Sequence, residues 1–130
     1  GWTRRDVPVA GGIAWAFYPP QPDGTGRDIY IRRGPTSLDF TQLVRQSRIA
    51  AIGLAGGAPL RADHGEMICG GTQRGWFFEY VLTRDDGKAV VNQQVLGLVP
   101  GSAYIASYSR PPGVPEDASA RASLDSLCPQ

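Results

Sequence analysis

The chain has 130 residues, of which 42% are hydrophobic and 19% charged, and its formal net charge is +1 at pH 7. A chain of this length is expected to form one domain, spanning residues 1–130. The near-zero charge provides no electrostatic footprint for nucleic acid or an anionic membrane. No apolar run approaches the roughly 20 residues of a membrane span. We therefore expect a soluble globular protein with no nucleic-acid partner and no integral membrane segment.

Residues 1–10 are predicted to form an extended N-terminal arm. The chain starts at Gly1 without an initiator methionine or an apolar leader, which is typical of a processed segment. On this interpretation a signal peptide has been removed, and a lipid anchor upstream of Gly1 is compatible with the sequence.

Two apolar runs that follow predict a β-hairpin. Residues 13–18 (IAWAFY) are apolar and β-prone. Residues 27–33 (RDIYIRR) alternate with period two, which places Ile29 and Ile31 on one face.

The clearest helix signal begins at residues 36–39 (TSLD), a capping-box-like start with Asp in place of the usual Glu or Gln. Residues at helical spacing then form one stripe: Phe40, Leu43, Val44, Ser47, Ala51 and Leu54. Gly56 and Gly57 are predicted to end this helix, and residues 58–66 to form a polar connection.

The middle of the chain predicts a meander of three antiparallel strands, over residues 75–83, 88–99 and 103–109. The turns between them are Asp85-Asp86-Gly87 and Pro100-Gly101. The first strand is apolar on both faces, which implies a sheet that is covered on both sides.

A second helix is predicted from about Glu116 to Leu127, because an acidic pair after Pro115 suits a helix N-terminus. The element order is then hairpin, helix, three-strand meander and helix. It predicts an α+β fold in which an antiparallel sheet of about five strands is flanked by two helices, an α/β/α sandwich.

These elements resemble the PsbP-like group of α/β/α sandwiches, which includes the photosystem II protein PsbP and bacterial DcrB-type periplasmic proteins. The matching segments are IAWAFYPP…DIYIRR, SLDFTQLVRQSRIAAIGL, GWFFEYVLT, KAVVNQQVLGLV, SAYIASYS and ASARASLDSL. The resemblance covers nearly the whole chain through element order and apolar texture. It implies a non-enzymatic protein that binds, scaffolds or chaperones other proteins.

Cys69 and Cys128 are the two cysteines, and the sequence leaves two interpretations of them open. In an oxidising compartment we expect a disulfide that clamps the C-terminal helix to the sheet; in a reducing one they would be free thiols. A nucleophilic cysteine needs an oriented base, and His64 is the sole histidine, at a spacing typical of no cysteine-enzyme motif. A zinc site needs three or four ligands at suitable spacings, which this set does not provide.

Other chemical motifs are weak. Residues 70–75 (GGTQRG) lack the Gly-Lys-Ser/Thr ending of a phosphate loop and precede a strand, so we predict an ordinary loop. A small hydrolase built from Asp63, His64 and Glu66 is an alternative hypothesis. No cofactor, metal or catalytic site is predicted.

Aromatic residues are concentrated in the predicted strands, where most are expected to pack in the core. A sharper hypothesis is that some of them join arginines at strand ends in a protein-binding patch, since Trp, Tyr and Arg are common anchors. The candidate residues are Arg74, Trp76, Tyr104, Tyr108 and Arg110.

Together these features favour a non-enzymatic accessory or binding protein, periplasmic or secreted, which presents a rigid surface to a protein or envelope partner. The alternatives are the His64 hydrolase and a cytosolic secretion chaperone or immunity protein. The chaperone hypothesis predicts reduced cysteines and an exposed apolar groove.

Overall fold

A computed structural model of the chain describes residues 3–7, 13–18 and 28–130. Within these ranges there are seven strands and two helices. Their bounds are β1 Thr3–Val7, β2 Ile13–Tyr18, β3 Asp28–Pro35, α1 Phe40–Leu54, β4 Ala62–Ile68, β5 Gln73–Thr83, β6 Ala89–Val99, β7 Ser102–Arg110 and α2 Ala118–Asp125.

All the described strands belong to one antiparallel sheet with the order β1-β2-β3-β7-β6-β5-β4. The predicted hairpin is β2–β3, in which Ile31 is the register partner of Trp15. The predicted meander is β5–β6–β7, and β3 joins it by pairing with β7. The predicted fold class, an α+β sandwich with an antiparallel sheet between two helices, is confirmed.

Two strands extend the sheet beyond the five that were predicted, one at each edge. β1 lies in the predicted N-terminal arm and pairs with β2. β4 starts inside the predicted polar connection and pairs with β5. Four of the seven β4 residues are exposed, and two of these, Asp63 and His64, have polar side chains, so hydrophobic alternation did not reveal the strand. Polar side chains are common on edge strands, where they hinder pairing with a further chain.

The two helices cover opposite faces of the sheet, since neighbouring residues of a strand point to opposite sides. Phe78 and Leu96 pack beneath α1 with Leu43 and Val44. The second core lies under α2 and contains Ile29, Ile68, Phe77, Val95, Ala106, Tyr108, Ala120 and Leu124. The strand that was predicted to be apolar on both faces therefore contributes to both cores.

Both helices begin later than predicted: α1 three residues after the start that a Thr36 cap implies, and α2 two residues after Glu116. Asp39 is the N-cap of α1: its Oδ1 accepts the Gln42 N–H at 2.8 Å, and Gln42 Oε1 accepts the Asp39 N–H at 3.0 Å. This is a full capping box, so Asp39 is preferred over Thr36 as the cap. Asp117 caps α2 with the first of these two bonds, since its side chain accepts the Ala120 N–H, whereas the methyl side chain of Ala120 cannot supply the reciprocal bond.

Candidate functional site

An apolar cleft of about 410 Å³ lies between α2 and strands β3 and β7. The sheet wall consists of Ile29 and Ile31 from β3 and Ala106 from β7. The helix wall and the mouth are formed by Ser119, Ala120, Ser123, Leu124, Ser126 and Leu127. We call this site the α2 cleft.

The amino acid types explain why the cleft is open. Ala106 of β7 and Ala120 of α2 are buried between the sheet and the helix. Because each side chain is a single methyl group, the two residues fill little of that space. Leu124, in the last turn of α2, is almost fully buried and adds apolar surface to the helix wall of the cleft. The exposed Ser119, Ser123 and Ser126, spaced along α2 and its C-cap, keep the mouth polar while the walls remain apolar.

A cysteine pair holds the helix wall in place. The sulfur atoms of Cys69 and Cys128 lie at disulfide-bonding distance, with the two Cα atoms 4.6 Å apart. The Cys69 N–H also donates to the Asp125 carbonyl at 2.8 Å, at the last residue of α2. The predicted pairing is thus present in the structure, and it attaches the end of α2 to the end of β4.

The turn that carries Cys69 has an unusual backbone. Cys69, Gly70 and Gly71 have φ values of 55°, 65° and 82° in succession. Glycine adopts this left-handed region without the steric cost that other residues meet there. The glycines of the predicted loop therefore reverse the chain between β4 and β5, and the loop leads into a strand as expected.

An ion-pair cluster forms a second attachment between α2 and β4. The Arg121 guanidinium donates to both carboxylate oxygens of Glu66 at 2.9 and 3.0 Å, and to Asp125 at 3.3 Å. It also lies 4.2 Å from the centre of the Phe77 ring. Burial and a hydrogen bond with Asp125 raise the pKa of Glu66, although Arg121 acts in the opposite direction.

The five candidate patch residues do not form one surface. Arg74 and Trp76 lie on the α1 face, whereas Tyr104, Tyr108 and Arg110 lie on the α2 face. Tyr104 is 7% exposed and Tyr108 0% exposed, so the interpretation of these two as partner-binding residues is wrong.

The two tyrosines are core residues whose hydroxyl groups are already used. Tyr104 donates to the Gln130 carbonyl at 2.8 Å, and Tyr108 accepts the Asp117 N–H at 3.0 Å. Arg110 is half-buried, donates to the Val114 carbonyl at 3.1 Å, and lies over the Tyr108 ring. The contacts of Tyr108 and Arg110 hold the segment before α2, that of Tyr104 holds the segment after it, and none of them forms a common patch with Arg74.

The hydrolase residues do not converge. His64 is exposed on the α2 face, with its ring 5.2 Å from that of Phe77. Asp63 points to the opposite face, and Glu66 is occupied by Arg121. Neither carboxylate orients the imidazole, whose Nδ1 lies 3.1 Å from the Gly65 carbonyl. A base oriented by a third group, which nucleophilic catalysis requires, is therefore not assembled here.

Asp63 instead joins α1 to the sheet. Its carboxylate accepts hydrogen bonds from Arg48 at 2.6 and 3.0 Å and from the Trp76 indole N–H at 2.7 Å. The hydrogen bonds from Arg48, the largest effect, lower the pKa of Asp63, and the bond from Trp76 acts in the same direction.

Asp63→Asn is expected to lower the free energy of unfolding by about 1 kcal/mol at pH 7, the range of a partly exposed, well-oriented ion pair. Because folding lowers the pKa of Asp63, its contribution is complete above about pH 5 and is lost as the pH falls through the folded-state pKa. Urea unfolding of the wild-type protein and the variant should show a smaller difference between their free energies of unfolding at low pH than at pH 7. Asp85→Asn, in an exposed turn, is the control; an equal loss there would contradict the assignment.

Neither described helix is long and apolar enough to cross a membrane. Residues 3–7, 13–18 and 28–130 contain no cluster of three or more His, Cys, Asp or Glu side chains with the arrangement of a metal site.

Comparison with known proteins supports the fold. No protein-family model matches the chain, and no curated protein matches it significantly. The crystal structure of PA94 from Pseudomonas aeruginosa, a protein of unknown function, is similar with a TM-score of 0.66 and 17% sequence identity. The match covers 100% of this chain and 83% of that chain. The description of PA94 names neither the PsbP-like nor the DcrB-like group, so that resemblance stays a prediction. The chain shares the α+β sandwich fold of PA94.

Proposed function

We propose that the protein is a non-enzymatic binding protein that works in the periplasm or after secretion, and that its α2 cleft holds an apolar segment of a protein partner. The observation that carries this proposal is the α2 cleft itself. Its walls are apolar and its volume of about 410 Å³ lies within the range of ligand-binding pockets.

The attachment of α2 gives the cleft a fixed shape. Arg121 connects the helix to Glu66 of β4, and Cys128, three residues after the helix, pairs with Cys69, the residue that follows β4. A wall that is already held in position loses little conformational freedom when a partner binds, which favours affinity. This arrangement suits a rigid binding surface.

The cysteine pair also supports the proposed location in the periplasm or outside the cell. Disulfides persist in oxidising environments and are rare in the cytosol. A cytosolic chaperone or immunity protein would make equal use of an apolar groove, but its thiols would be reduced. The proximity of Cys69 and Cys128 therefore favours the extracytoplasmic proposal over that alternative.

Filling the cleft provides the direct test. We expect the neutral dye N-phenyl-1-naphthylamine to become fluorescent in the presence of the wild-type protein, because it enters the apolar space. Ser123→Phe places a ring at the cleft and should abolish most of this signal. Ala122→Phe adds the same ring at the next position of α2, which does not line the cleft, and should leave the signal intact.

Two results would refute the proposal. One is an absence of dye fluorescence with the wild-type protein. The other is an equal signal from both variants, which would mean that the dye binds elsewhere. Thermal unfolding of both variants should accompany the titration, so that a loss of folded protein is not mistaken for a closed cleft.

A further inference from the structure

A second groove lies on the opposite face of the sheet, between the first turns of α1 and the start of β5. Its volume is about 230 Å³. It is lined by Phe40, Thr41, Val44, Arg45, Arg48, Arg74 and Trp76. We call it the arginine groove.

The charge of the groove is not balanced. Asp63 neutralises Arg48 through two hydrogen bonds. Arg45 and Arg74 are both exposed, and within residues 28–130 neither forms an ion pair with a carboxylate. Arg74 lies over the Phe40 ring, with its guanidinium carbon 4.3 Å from the ring centre. The ring holds this guanidinium at the groove while leaving its N–H donors available.

Apolar side chains border these charges. Met67 on β4 is the register partner of Arg74 and is 54% exposed. Ile49 lies one turn beyond Arg45 on α1 and is 66% exposed. Trp76 forms part of the groove wall, with its indole N–H held by Asp63. Arginine and tryptophan beside exposed apolar groups are the composition of an interface centre rather than of an ordinary surface.

We propose that the arginine groove binds an acidic segment of a protein partner. The segment's carboxylates accept hydrogen bonds from Arg45 and Arg74, whose planar donor sets match carboxylate geometry. An adjacent apolar side chain of the segment packs against Trp76 and Met67. This site is separate from the α2 cleft, because the sheet lies between them.

A protein segment fits the groove better than an anionic membrane does. Lipid surfaces attract dense clusters of about four to eight basic residues, whereas this groove has two arginines without an ion pair among residues 28–130, and the whole chain has a net charge of +1. The groove is also a concavity of only about 230 Å³, which suits individual side chains and not an extended lipid surface.

Fluorescence anisotropy with a short fluorescein-labelled peptide of alternating glutamate and leucine tests the proposal. We expect saturable binding at low ionic strength that weakens with salt, and no binding of the matching glutamine–leucine peptide. The double variant Arg45→Gln/Arg74→Gln should weaken binding about tenfold or more, since hydrogen bonds to charged groups make contributions of that order. Its folding is checked by its thermal midpoint.

The control is Arg32→Gln/Arg33→Gln, which removes the same charge from β3, three strands away from β5 in the sheet. This variant should change the affinity for the acidic peptide less than about twofold, because it alters only the overall electrostatic field of the protein. Equal weakening by both double variants would overturn the proposal, as would binding to phosphatidylglycerol vesicles without binding to the peptide. Failure of the wild-type protein to bind the acidic peptide would also overturn it. That failure would not bear on the α2 cleft, which the dye titration tests separately.

Discussion

Replacing Cys69 and Cys128 together with serine is expected to lower the free energy of unfolding by about 4 kcal/mol. The two cysteines are separated by 59 positions, and closing a loop of this size removes about that much chain entropy from the unfolded state. The effect is large for a domain whose total stability is expected to be about 5–15 kcal/mol.

Urea unfolding of the double variant and of the wild-type protein, with and without dithiothreitol, measures this difference. The reduced wild-type protein should unfold close to the double variant, because both lack the same covalent link. Intact mass after alkylation in denaturant reports the oxidation state: without reductant, neither cysteine should be modified. Two modified cysteines in protein from its native compartment would contradict the disulfide and favour the cytosolic alternative.

Gly75→Ala is expected to lower the free energy of unfolding by about 2–3 kcal/mol, the upper range for overpacking. Gly75 lies in β5 between β4 and β6. An added Cβ would meet the Glu66 carbonyl oxygen at 2.9 Å, the Leu96 carbonyl oxygen at 2.9 Å and Ile68 Cγ2 at 2.8 Å. Both carbonyls belong to strands that pair with β5, so relief of the clash must disturb the sheet itself.

Two other glycines provide controls for this variant. Gly97→Ala brings its Cβ to 2.5 Å from Pro129 Cγ and 2.9 Å from Ile68 Cδ1. These are side-chain atoms and not carbonyls of paired strands, so a smaller loss is expected. Gly113→Ala meets nothing within 4 Å and should be close to neutral. Equal unfolding midpoints for the variants at Gly75 and Gly113 would show that the sheet accommodates the methyl group.

Much of the fold was predictable because hydrophobic periodicity reports burial directly. Residues of β5 are apolar on both faces, and this pattern predicted the two covered faces that the structure shows. β4 was missed because an edge strand is specified by backbone pairing, and the exposed polar Asp63 and His64 mask it. The start of α1 was displaced because two caps, Thr36 and Asp39, competed, and the reciprocal bonds with Gln42 favour the second.

Less of the candidate site could be predicted. The cysteine pairing was one of two alternatives, since sequence separation alone does not bring two residues together. The α2 cleft was not found, because Ile29, Ala106 and Leu124 come from three distant segments and each is an ordinary core residue by type. Tyr108 and Trp76 both lie among apolar residues in strands, so the sequence did not distinguish a buried aromatic residue from one at the surface. The packing of α2 on the sheet shows that Tyr108 is fully buried.

The cysteine pair has a topological consequence. A covalent ring that closes at Cys69 and Cys128 contains β5, β6, β7 and α2, while β1 to β4 lie outside it. The central meander and the helix wall of the α2 cleft thus belong to one closed circuit. If a protease cut the backbone once in any turn between residues 69 and 128, the disulfide would still join the two fragments covalently. Without the disulfide, the same cut would separate the fragment that carries α2 from the rest of the chain.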